Sequence, residues 1–229
     1  MSYDITPVIE LPFSAAYDVQ HSRACLEKHR DGLRRHLSDL REQQLARRAL
    51  AMAGEPRQVL DLSRTAGRFW NTLAEHPTRE IIAADDSVPA LDVAMHYYAP
   101  QLGGRIRPLR TSAFAIDLPD GSVDSIFCMD LLHRAGEPDL RLALLRELHR
   151  VTRDTLIVSL WVDGNYQAWR RQCRHRRRLL DGEELAPTRF VLPRATADAE
   201  FAGAGFRIVG HLDFLPLHSM RRVYVLRRA

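Results

Sequence analysis

Residues 58–70, Gln-Val-Leu-Asp-Leu-Ser-Arg-Thr-Ala-Gly-Arg-Phe-Trp, constrain the fold of this chain more than any other stretch. A short apolar run, Val59-Leu60-Asp61-Leu62, gives way to a turn over residues 63–67 and then to helical character over 68–75. A strand that turns through small residues into a helix aims backbone N–H groups and the positive helix end at one point. Such a corner suits an anion or a nucleotide.

Strands and helices alternate after it. The sequence predicts strands over 81–84, 105–110, 125–129 and 155–161, with helices over 89–98 and 139–151 between them. Pro89 sits in the first turn of its helix, where a missing N–H costs nothing. Leu140, Leu144, Leu145 and Leu148 give the later helix one apolar face. Buried strands without polar alternation, separated by helices, argue a parallel sheet covered on both faces. Residues 164–200 interrupt this rhythm, and 206–209 with 222–226 read as strands of an antiparallel sheet edge.

Ahead of the corner, residues 1–20 read as an irregular arm. Residues 22–53 read as helix, with Gly32 or Ser38-Asp39 as a break and Gly54-Glu55-Pro56 as the stop. The expected organisation is an N-terminal arm and helices over 1–56 and one domain over 57–229, with a cap insertion at 164–200. The expected fold class is α/β, a Rossmann-like, doubly wound, mostly parallel seven-stranded sheet with an antiparallel edge strand.

The 33 basic and 29 acidic residues leave a net charge of only +4, but Lys28 is the single lysine. Arginine forks suit phosphate and carboxylate better than ammonium groups do, although codon preference would produce the same overall bias. Cys25, Cys128 and Cys173 are scattered and show neither disulfide nor zinc spacing. No metal site is expected. Without a membrane-length apolar run or a signal-peptide pattern at the N-terminus, the expected location is cytoplasmic.

Four motifs in order and at the right spacing resemble the class I S-adenosylmethionine-dependent methyltransferases, particularly small-molecule enzymes of the broad type 11 kind. The resemblance is close over about residues 57–161 and looser over 201–229. Val59-Leu60-Asp61-Leu62-Ser63-Arg64-Thr65-Ala66-Gly67-Arg68-Phe69 is similar to the family's first motif. Asp85-Asp86-Ser87 resembles its second. Leu118-Pro119-Asp120-Gly121-Ser122-Val123-Asp124, followed by Leu131-Leu132-His133, resembles the approach to and exit from its fourth strand. Phe201-Ala202-Gly203-Ala204-Gly205-Phe206 resembles the approach to its sixth.

The resemblance implies S-adenosylmethionine as cofactor, held by Asp61, Ser63, Thr65, Gly67, Asp85, Asp86 and Ser112. Asp61 would orient the methionyl amine, or else serve as a turn and capping residue. Asp85 would accept from the ribose hydroxyls, or else cap a helix. Arg64 would meet an anion or bridge Asp61 or Asp85. The family pattern is also broken: Ser63 and Thr65 stand where it has glycine, and Ser112 stands where it has an acid for the adenine amine. His133 and Asp130 follow the fourth strand on the acceptor side, as a catalytic base and its neighbour or as packing residues.

The helix expected over 166–180 sets Tyr166, Trp169, Cys173 and Leu180 on one face and covers the rest with arginine. Tyr166, Trp169, Arg170, Arg174, Arg177 and Arg178 would form an anion or substrate site, or a solvated charged face. Two functions follow from these readings. One is a methyltransferase acting on a small or lipid-linked, anionic acceptor. The other is a weak or inactive methyltransferase-like regulatory or scaffold protein, whose Arg-rich surface binds a nucleotide, an anionic glycolipid or a protein partner. Nucleic acid is not favoured, because no recognition module is evident.

Overall fold

The computed structural model describes residues 33–63, 67–180 and 189–229. The expected arm, Gly32, Arg64 and Thr65 lie outside the described residues. Within them the predicted run at 59–62 becomes β1 (Gln58–Asp61), which is buried after its first residue. A four-residue helix α2 (Trp70–Leu73) follows, shorter than predicted. The chain continues through β2 (Glu80–Asp85), α3 (Val88–Tyr98), β3 (Ile106–Arg110) and β4 (Val123–Cys128). Next come α4 (Pro138–Val151), β5 (Thr152–Trp161), α5 (Tyr166–Leu180), α6 (Arg194–Gly203), β6 (Phe206–Asp213) and β7 (Arg221–Arg228).

The local starts obey simple chemistry. Ser87 caps α3 by accepting the Ala90 N–H, and Pro89 occupies its first turn. α4 opens with Pro138 and Asp139, which suit the donor-rich, positive end of a helix. It then buries Leu144, Leu145, Leu148 and Val151 completely, at about 1.5–3 kcal/mol for each side chain removed from water.

Seven strands pair in the order β3-β2-β1-β4-β5-β7-β6. The first five are parallel, with Asp61 opposite Ala83 of β2 and Phe127 of β4. β7 runs antiparallel to both β5 and β6, so the β6–β7 hairpin closes this edge. One apolar layer packs α4 and α6 against one face through Leu148, Phe201 and Tyr224. The other packs the N-terminal helix α1 (Leu33–Met52), α2 and α3 against the opposite face through Leu50, Trp70 and Leu91. This is the doubly wound arrangement. Its crossovers change direction between β1 and β4, where open α/β sheets bind ligands beyond the carboxyl ends of their strands.

α1 runs unbroken through Ser38-Asp39, against the expected break there. The Asp39 carboxylate accepts from Gln43 one turn on and from Arg68 Nε at 2.9 Å, so it does not compete with the helix backbone. Glu42, buried, pairs with both Arg68 and Arg221. Arg221 opens β7 opposite Trp161, the last residue of β5. Glu42 therefore ties α1 to both halves of the sheet at the carboxyl ends of its parallel strands.

Glu42→Gln removes the shared charge and leaves Arg221 without its carboxylate. It is expected to lower the unfolding free energy by about 3 kcal/mol, as removal of one partner of a buried pair does. Urea unfolding checks this through a lower midpoint at an unchanged slope; an unaltered midpoint would show that the pairs do not fix α1.

Candidate functional site

The corner is built around Asp61. Its Oδ1 accepts the Ser63 N–H at 2.9 Å, and its Oδ2 accepts the indole Nε1–H of Trp70 at 2.8 Å. The side chain is buried. Burial pushes the carboxyl up to about 6, against hydrogen bonds from Ser63 and Trp70 that hold it down. Cys128, buried at the end of β4, is raised further by its own burial and by the negative fields of Asp61 and Asp130.

Gly67 is the one glycine of the motif that this chain keeps, and the structure requires it. Its φ is +86°, and a Cβ there would lie 2.4 Å from Cδ2 of the Tyr98 ring. Tyr98 in turn meets Trp70 edge to face, with ring centres 5.9 Å apart. Trp70 thus joins the turn, α3 and Asp61. Sequence reasoning missed it; the available signal was an indole donor on the helix nine residues after a strand-end acid.

Asp85, half-buried at the end of β2, accepts the Ser87 N–H at 2.9 Å through Oδ1. The helix cap is Ser87 and not Asp85. Asp86 beside it is exposed. The Asp85 carbonyl accepts the Thr111 N–H at 3.1 Å, which carries the ladder to Ser112. Ser112 Oγ accepts the Phe114 N–H at 3.3 Å within its own turn. Asp61, Ser63, Asp85 and Ser112 therefore all lie at the carboxyl ends of adjacent strands or in the turns that leave them.

On the β4–β5 side, Asp130 adopts φ +61°, an uncommon conformation that aspartate tolerates better than most residues. Its N–H donates to Ser159 Oγ at 2.8 Å, and its Oδ2 lies 4.0 Å from Arg68 Nη1. His133 is only 1% exposed. Its ring stacks face to face on Trp161, with centres 4.8 Å apart and 4° between planes. As placed, the imidazole meets Trp161 and presents no open edge to solvent. The guanidinium groups of Arg171 and Arg189 lie 5.4 and 5.2 Å from the centre of the same indole. Neither arginine was among the site residues expected from the sequence, although Arg171 belongs to the arginine-covered helix.

Tyr166, Trp169, Arg170, Arg174, Arg177 and Arg178 all lie exposed on α5. Among the described residues, no group of three His, Cys, Asp or Glu side chains is arranged to hold a metal ion.

Residues 59–155 match the family model described as methyltransferase domain. The sequence finds no match among curated proteins. Among solved structures, the chain is similar to magnesium protoporphyrin IX methyltransferase from Synechocystis, crystallised with bound S-adenosylhomocysteine. That match has 14% identity and a TM-score of 0.67, covering 92% of this chain and 95% of that one. A SAM-dependent methyltransferase from Aquifex aeolicus matches at 18% identity and TM-score 0.64, covering 93% and 100% of the two chains. The [4+2]-cyclase SpnF matches at 16% identity and TM-score 0.60, covering 81% of each chain. Identities this low establish the fold, and the cyclase illustrates that this fold by itself does not fix a reaction. Residues 59–155 thus resemble a methyltransferase domain, and the sheet containing them has the fold seen in these methyltransferase structures.

Proposed function

We propose that the protein is a methyltransferase that moves the sulfonium methyl group of S-adenosylmethionine to a small or lipid-linked, anionic acceptor. The observation that carries this reading is the pair of strand-end carboxylates, Asp61 and Asp85, beside the switch point of the sheet. Both lie within the stretch that matches the methyltransferase-domain family.

The residues fit the cofactor unequally. Asp85 fits the ribose, since a half-buried carboxylate at a strand end accepts well from two vicinal hydroxyls. Ser112 fits a weaker polar contact to the base, because its oxygen already accepts from Phe114 while its own O–H remains a donor. Asp61 does not fit as a direct partner of the methionyl amine. Only 3% of the residue is exposed, with each oxygen already accepting one bond from the fold, whereas Asp85 is half-buried. Its part is to hold the start of the turn at Ser63 and to tie it to Trp70.

S-adenosylmethionine supplies an electrophilic methyl carbon. The protein supplies mainly orientation, which contributes more to such a transfer than a strong base does. Asp130 and the Trp161 indole flank the acceptor end of this proposed site, and His133, behind Trp161, is a positioning residue. Arg171 and Arg189 supply positive charge for an anionic acceptor.

Calorimetric titration with S-adenosylhomocysteine tests the reading directly: binding is expected, and its absence at millimolar ligand would sink it. Asp85→Ala removes charge-assisted hydrogen bonds of about 1.5–3 kcal/mol and is expected to weaken binding by about 10–100-fold. Unchanged affinity would refute the ribose assignment. Asp61 gives a separate test. Its carboxyl holds a proton more tightly folded than unfolded, since its value rises from 3.8 to about 6. Its stabilising contribution is therefore full below the unfolded value and lost as pH rises through about 6, a change of up to about 3 kcal/mol. A carboxyl-carbon NMR titration should find Asp61 near 6; a midpoint at or below 3.8 would contradict the buried lock.

A further inference from the structure

We propose that α5, together with the turn that precedes β7, is a docking surface for a membrane rich in anionic phospholipid. The helix carries six arginines and no acidic residue in its fifteen positions. Among the described residues, no carboxylate lies within salt-bridge distance of Arg170, Arg174, Arg176 or Arg177. Ala168 is the one fully buried side chain among residues 166–178, so the helix lies on the protein with nearly its whole circumference in solvent.

Large apolar side chains stand beside this charge. Trp169 is 60% exposed and Tyr166 48% exposed, one turn apart on the same face. The preceding turn adds Leu215, 47% exposed, and Leu217, 82% exposed. That turn is fixed to the helix start, because the Tyr166 and Gln167 N–H groups donate to the carbonyls of Leu217 and His218. Tyr166 also stacks on His218, with ring centres 5.4 Å apart. Tyr166, Trp169 and Leu217 line one cleft of about 570 Å³. Leu217 has φ +60°, an unfavourable conformation for leucine. A strained leucine that points into water contributes little to folding and is accounted for by a partner that covers it.

The chemistry selects that partner. Tryptophan and tyrosine favour the headgroup level of a bilayer, leucine the acyl boundary, and arginine extends its guanidinium to the phosphates. A phosphate-bearing nucleic acid would use the arginines but gains nothing from two exposed leucines. No described helix is long and apolar enough to cross a membrane, so the contact is peripheral. Burial lowers the Arg171 pKa, and the positive fields of Arg174 and Arg189 lower it further, which marks this surface as a region of concentrated positive charge.

The proposal does not depend on methyl transfer, and its test uses no cofactor. The full chain is sedimented with vesicles of phosphatidylcholine alone or of equal parts phosphatidylcholine and phosphatidylglycerol. Binding is expected only with phosphatidylglycerol. It is expected to fall steeply from about 0.15 M to about 1 M salt, where the screening length drops from about 8 to about 3 Å. Arg174→Gln with Arg177→Gln is expected to weaken it by about 30-fold. Trp70 and Trp161 are buried, so a blue shift of tryptophan emission on binding would report Trp169 and should vanish in Trp169→Phe. Thermal midpoints of these exposed-site variants should match the parent. Equal binding to both vesicle types, no binding, or full binding by the double variant would overturn the proposal. So would a single-stranded RNA that binds more tightly than the anionic vesicles and loses affinity in the same variants.

Discussion

The Asp61 carboxylate, closed between the Ser63 amide and the Trp70 indole, is the interaction on which the ligand end of this protein depends. A carboxylate out of water is costly unless its oxygens are bonded. Here one bond goes to the turn after β1 and the other to the helix behind it. The same indole meets Tyr98, and Tyr98 fills the space beside Gly67. Side-chain chemistry thus fixes the strand-turn-helix corner where the family pattern relies on three glycines. On the proposed reading, Asp61 then serves the fold, and Asp85 is the acid suited to a ribose.

Arginine serves two different purposes in the chain. Buried arginines are connectors. Arg79, 1% exposed, joins the Pro56 carbonyl to the Leu73 carbonyl and pairs with Glu55. Arg141 binds both oxygens of Glu200 and two loop carbonyls, which locks α4 to α6. Arg68 links the corner to α1. Lysine could not replace these planar, multiply donating contacts. The arginines of α5, Arg171 apart, are of the other kind, exposed and set beside aromatic and aliphatic side chains, as the proposed membrane contact requires.

Much of the fold was legible because local signals agreed with one another. Pro89 marked the start of α3, and the leucine spacing of α4 marked its buried face. The strand-end acids marked the ligand end of the sheet. What stayed hidden depends on contacts distant in the chain. No periodicity shows that Asp39 will satisfy Gln43 and Arg68 rather than end a helix. Nothing local places β7 between β5 and β6, since that pairing brings together strands about seventy residues apart. The role of Asp61 was left open between ligand and cap. Its bond to an indole nine residues on depends on the direction of α2, which residue types alone do not give.

The central claim is that Asp61 is committed to the fold while Asp85 meets the ligand. It is tested most directly by the nitrogen–proton NMR spectrum of the protein as S-adenosylhomocysteine is added. The Trp70 indole signal, assigned by its loss in Trp70→Phe, should stay in place at saturation, while the Ser87 amide beside the Asp85 carboxylate moves. A Trp70 indole signal that shifts with ligand, with the Ser87 amide unmoved, would contradict the account.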